Sequence, residues 1–99
     1  MPARVAIDRE RIAAFCREHH IAKLALFGSV LRDDFRPDSD VDVLVWFEPD
    51  QHVTLFDMVE MEDELSRIIE RRVDFRTAED LSRYFRDQVV SHAEVQYAA

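Results

Sequence analysis

The chain has 99 residues, of which 47% are hydrophobic and 34% charged, with a single glycine, Gly28. That length suits one domain, residues 1–99, with a modest core, and seven Phe, two Tyr and one Trp exclude a disordered segment. Thirteen basic against 21 acidic residues leave a formal net charge of −8, which repels phosphate backbones and argues against direct nucleic-acid binding.

No apolar run approaches the ~18 residues of a membrane span, and the N-terminus lacks the basic-then-apolar order of a signal peptide. The lone cysteine, Cys16, has no disulfide partner in the chain. The expected location is the cytoplasm.

From Asp8, apolar residues at Ile12, Phe15 and Cys16 alternate with charges at helical spacing, so Asp8 is the expected N-cap of a helix that ends at His19 and His20. The run at 23–27 reads as a buried strand stopped by Gly28, followed by a short helix or turn at 29–35 and a loop at 36–39. Residues 40–47 are rich in β-branched and aromatic side chains and form the clearest strand. Thr54, with Asp57 three residues later, opens a helix in capping-box style. Its expected inner stripe is Leu55, Met58, Val59, Leu65, Ile68 and Ile69, and its charge runs from acidic to basic in the sense the helix dipole favours.

A short strand is expected at 73–76. Thr77 then caps a last helix, with Leu81, Tyr84, Phe85 and Val89 facing inward. The tail from Val89 to Ala99 either frays or docks a partner. The order α-β-α-β-α-β-α reads as an α/β layer sandwich.

Side chains two apart on a strand share a face, so Asp40 and Asp42 are expected on one side and Val41, Val43 and Val45 on the other. Two carboxylates about 4 Å apart repel by roughly 4 kcal/mol at an effective dielectric near 20. A divalent cation between them removes that cost, and Mg²⁺, which takes oxygen ligands and completes its shell with water and substrate phosphates, suits the pair. Asp74 is the natural third carboxylate if Val73 and Phe75 pack inward. Three carboxylates around one or two metals are the arrangement for in-line displacement at phosphorus.

Gly28 and Ser29 supply a complementary half: a glycine ending a strand lets backbone amides approach a phosphate, and Ser29 adds a hydroxyl donor. Arg32 lies one turn later, within reach of the same phosphates, although pairing with Asp33 or Asp34 in solvent is an equal alternative. Arg36 and Arg76 stand in the same position with less support. The four histidines lack metal-ligand spacing, and Cys16 falls on the buried stripe of its helix. Trp46 shares the parity of Asp42, with core packing its main expected role.

Gly28-Ser29, ten intervening residues, then Asp40-Val41-Asp42 and an apolar strand resemble the signature of the polymerase-β-type nucleotidyltransferase superfamily. The stretches Phe27-Gly28-Ser29-Val30-Leu31-Arg32 and Arg36-Pro37-Asp38-Ser39-Asp40-Val41-Asp42-Val43-Leu44-Val45 resemble its minimal members, the MNT proteins. The similarity runs through Val73-Asp74-Phe75 to the C-terminal Tyr97-Ala98-Ala99. One departure is visible: many relatives carry Ala-Arg-Gly where this chain has Leu31-Arg32-Asp33.

The resemblance implies an α/β (α+β) polymerase-β-like core, a short mixed β-sheet packed with helices. It implies that Asp40, Asp42 and Asp74 are the metal-binding and catalytic carboxylates, and that Gly28 and Ser29 hold the triphosphate. It further implies transfer of a nucleoside monophosphate from ATP or another NTP to a hydroxyl. For minimal members the acceptor is a tyrosine of a HEPN-domain toxin, which the nucleotidyltransferase adenylylates as antitoxin within a hetero-oligomer. Two other readings stay open: an antitoxin that neutralises its partner by binding alone, and a small-molecule nucleotidyltransferase.

Overall fold

The computed structural model describes residues 7–31, 36 and 39–99, with Ser29 and Val30 by backbone alone. Helix α1 (Arg9–Glu18) starts where Asp8, in extended backbone, accepts the N–H groups of Glu10 and Arg11 through its carboxylate. It buries Ile12, Phe15 and Cys16 as the spacing predicts. Strand β1 (Ile21–Phe27) follows, then a 3₁₀ turn at Gly28–Leu31 and strand β2 (Val41–Phe47).

Helix α2 (Leu55–Ile69) begins with the expected capping box: the Thr54 hydroxyl accepts the Asp57 N–H at 3.1 Å and the Asp57 carboxylate accepts the Thr54 N–H at 2.9 Å. It ends at Glu70 in the left-handed conformation, φ 61°. Strand β3 (Val73–Thr77), a second 3₁₀ turn (Ala78–Asp80), helix α3 (Arg86–His92) and strand β4 (Glu94–Ala98) complete the chain.

The four strands form one mixed sheet in the order β3-β2-β1-β4. Strand β1 pairs antiparallel with both β2 and β4, whereas β2 and β3 are parallel. Helices α1 and α2 cover one face, where Val41, Val43, Val45, Leu24, Leu26, Val73 and Phe75 join Phe15, Met61 and Leu65 in the core. An edge-on contact between Phe15 and Phe75, 6.4 Å between ring centroids, links α1 to the far edge strand. On β3, the N–H of Val73 is taken by Ser66 Oγ at 3.1 Å and that of Phe75 by Glu62 Oε2 at 3.0 Å, so α2 blunts an exposed strand edge. No helix among the described residues is long and apolar enough to cross a membrane.

Three expectations need correction. Leu55 and Val59 do not belong to the inner stripe of α2: they are 85% and 58% exposed, and Met61 is buried in their stead. With 100° per residue, Val59 lies about 120° from the line through Met61, Leu65 and Ile69 that meets the sheet. The last helix does not run on from Thr77. The chain turns extended at Leu81, and α3 opens only at Arg86. The Arg86 guanidinium donates to the carbonyls of Ala78 at 2.7 Å and Leu81 at 3.1 Å, satisfying groups that an unbroken helix would have paired, and Tyr84 and Phe85 stay exposed. The tail does not fray: Glu94–Ala98 is a fourth strand, β4, against β1.

Candidate active site

Asp42 sits on the second residue of β2, between two neighbours. On one side its Cα partner is Phe27 of β1, and on the other it is Asp74 of β3. Parallel register places Asp42 and Asp74 on the same face of the sheet, on strands about 4.8 Å apart. That face lies opposite α1 and α2, because Val41, Val43, Val73 and Phe75 turn the other way into the core. The expectation that Asp74 joins Asp42 if Val73 and Phe75 pack inward is what the register delivers.

Gly28 follows Phe27 and therefore lies beside Asp42. Its φ of +73° is a conformation that side chains disfavour, and a Cβ built on it would collide with Asp42 Oδ2. The bare Cα is what gives the Asp42 carboxylate its room. Ser29 continues the 3₁₀ turn at Gly28–Leu31, and Arg32 lies outside the described residues.

Asp40 stands immediately before the first residue of β2, one position short of the expected strand start. The Val41 N–H donates to the Arg72 carbonyl at 2.8 Å, the first bond of the parallel β2–β3 ladder, and Arg72 Nε stands 4.0 Å from Asp40 Oδ1. Both side chains of that pair are well exposed, so it contributes little by itself. Asp74 has a closer cation: Arg76 Nε donates to its Oδ2 at 3.1 Å. Arg36 contributes backbone only in the contacts seen, exchanging bonds with Ser39. Trp46 is half-buried with Lys23 Nζ 4.6 Å over its ring, at the far end of β2 from Asp42.

Among the described residues, the three ligand atoms already within 4.8 Å of one another belong to Glu18, His19 and Glu64, not to the aspartates. That group joins α1 to α2 on the helical side of the sheet, and the 3.0 Å contact between His19 Nε2 and Glu64 Oε1 accounts for it as a helix-to-helix link. The aspartate face carries the donor chemistry for a hard cation. Asp42 and Asp74 present carboxylates from paired positions, and Gly28 keeps the space beside one of them clear. Cys16, by contrast, is fully buried, and burial pushes its thiol up to about 12 against the opposing pull of Arg17. It is a core residue with no role in this site.

Comparison with known proteins agrees with this architecture. Residues 9–95 match the family model described as nucleotidyltransferase domain. The chain is 26% identical over 85 residues to a Methanocaldococcus jannaschii protein named "Putative protein adenylyltransferase MJ0435", covering 86% of this chain and 89% of that one. It is 35% identical to a solved structure described as a "putative minimal nucleotidyltransferase", with a TM-score of 0.70 over 86% of this chain and 85% of the other. A complex of tri-AMPylated Shewanella oneidensis HEPN toxin with MNT antitoxin shares the fold, with a TM-score of 0.66, 19% identity and coverage of 92% and 70%. The chain belongs to the nucleotidyltransferase-domain family, among its minimal members, and is a nucleotidyltransferase.

Proposed function

We propose that this protein transfers AMP from ATP to a hydroxyl, that of a tyrosine, on a partner HEPN-domain toxin, and that it thereby acts as antitoxin. The observation that carries the reading is the register of Asp42 against Asp74 with the bare Cα of Gly28 beside them. The relative named as a protein adenylyltransferase and the AMPylated HEPN complex support the choice of a protein acceptor.

In this reading Asp40, Asp42 and Asp74 would hold Mg²⁺, and Gly28, Ser29 and Arg32 would contact the triphosphate. Bound Mg²⁺ would offset negative charge on the attacking and leaving oxygens. The acceptor oxygen bonds to the α-phosphorus as the bond from that phosphorus to the bridging oxygen breaks, and pyrophosphate leaves. Asp74, which also accepts from Arg76 Nε at 3.1 Å, would help to deprotonate the acceptor hydroxyl.

The test is incubation of the protein with a purified HEPN partner, Mg²⁺ and ATP labelled at the α-phosphate. Transfer of label to the partner by wild type but not by Asp42→Asn, with both proteins melting alike, is the expected outcome. Full transfer by Asp42→Asn would remove the carboxylate assignment. A second reading, neutralisation by binding alone, draws on the arginines that already face Asp40 and Asp74. It predicts toxin neutralisation that survives loss of Asp42 with no labelling at all.

A further inference from the structure

Arg71 lies outside every motif noted in the sequence. It follows the left-handed Glu70 at the end of α2 and stands two residues before β3. Its Nη2 donates to the Arg36 carbonyl at 2.8 Å and to the Ser39 carbonyl at 3.1 Å. Arg36 and Ser39 also close on each other: the Ser39 N–H donates to the Arg36 carbonyl at 3.0 Å, and the Arg36 N–H to Ser39 Oγ at 3.1 Å. The next residue is Asp40. On its other side, Val41 donates to the Arg72 carbonyl at 2.8 Å. Both neighbours of Asp40 are thus tied to the dipeptide Arg71-Arg72, which leads directly into β3 and Asp74.

We propose that Arg71 is a positioning residue for Asp40, fixing the backbone before β2 so that this third carboxylate stays with Asp42 and Asp74 when a cation and nucleotide bind. Asp40 needs such a brace. It precedes the first paired residue of β2, and its own contact with Arg72 is long and exposed. Charge-assisted hydrogen bonds to two carbonyls are stronger than neutral ones and resist displacement of the backbone before β2. The brace gives the Arg71 side chain a role just past the left-handed end of α2, while position 72 contributes its backbone carbonyl.

The inference rests on the reading of the aspartates as a cation–nucleotide site, and its test does not need turnover. Binding of Mn²⁺ in the presence of α,β-methylene-ATP, followed by electron paramagnetic resonance of the free ion, reads the site directly. Arg71→Ala is expected to weaken Mn²⁺ binding about tenfold or more, as loss of an outer-shell support does. Arg71→Lys, which keeps a cationic donor, restores most of it. Added to Asp40→Asn, Arg71→Ala brings no further loss, because its effect passes through Asp40.

Should the alanine variant fail to fold, Arg71→Met keeps the aliphatic stem and carries the same comparison. Wild-type affinity in Arg71→Ala, or an equal loss in the Asp40→Asn background, would overturn the positioning role while leaving the site assignment in place. Absence of Mn²⁺–nucleotide binding by wild type would overturn both.

Discussion

Replacing Gly28 by alanine tests the geometry of the site most sharply, because two separate effects fall on one methyl group. The first is conformational. Gly28 sits at φ +73°, and a residue with a Cβ pays roughly 1–2 kcal/mol to stay there. For a chain of this size that amounts to a fall in melting temperature of about 5–15 °C. The second is a collision with Asp42 Oδ2. That oxygen is the end of a side chain rather than backbone, so the carboxylate swings aside and the sheet stays intact. Misplacing a reacting group by about 1 Å costs on the order of 100-fold in rate, so activity falls much further than stability does.

The assay pairs thermal melting with transfer of α-phosphate label, for wild type, Gly28→Ala, Asp42→Ala and the double variant. In the Asp42→Ala background the collision disappears and only the conformational cost remains, so the melting penalty of Gly28→Ala persists there. Wild-type melting together with wild-type transfer in Gly28→Ala would refute the argument on both counts.

Three further outcomes are expected. Glu70→Gly should leave the melting temperature unchanged or raise it by a few degrees, since glycine adopts the left-handed C-cap at φ 61° without a Cβ penalty. A fall would mean that the Glu70 side chain contributes more than its backbone costs. The Thr54 N–H, first, and the Thr54 hydroxyl hold the Asp57 carboxyl below its ordinary value. The stability this contributes is present above the unfolded carboxyl value near ~3.9 and disappears as pH falls through the lower folded value. The urea midpoints of wild type and Asp57→Ala should therefore differ at neutral pH and converge in acid. Cys16, with its thiol pushed up to about 12 by burial, should resist Ellman's reagent at pH 8 until urea unfolds the chain, and rapid native labelling would contradict its place in the core.

Much of the site was legible in the sequence, though unevenly. The aspartate pair and the glycine stop are local patterns, and they pointed to the right strands. Their partnership is not local: Gly28 reaches Asp42 only because Phe27 pairs with Asp42, and Asp42 reaches Asp74 only because β2 and β3 run parallel in that register. Asp40 was expected on the strand, but β2 begins one residue later, and the carbonyl of Ser39, the residue before it, accepts from Arg71. Arg71 itself gave no signal, since a basic residue at a helix C-terminus is ordinary dipole chemistry.

The amino-acid order alone determined whatever is decided within one turn of chain: the Asp8 cap, the Thr54–Asp57 box and the apolar faces of α1 and β2. Its periodicity misread the segment after Thr77, where Leu81, Tyr84 and Phe85 have helical spacing but Arg86 captures the carbonyls and the helix breaks. It also missed β4, whose buried residue is Gln96 and whose Val95 is 41% exposed, the reverse of an amphipathic strand. Such a strand exists because the edge of β1 offers it hydrogen bonds. That edge, like the meeting of Asp42 with Asp74, is formed by residues distant in sequence, and only tertiary structure brings them together.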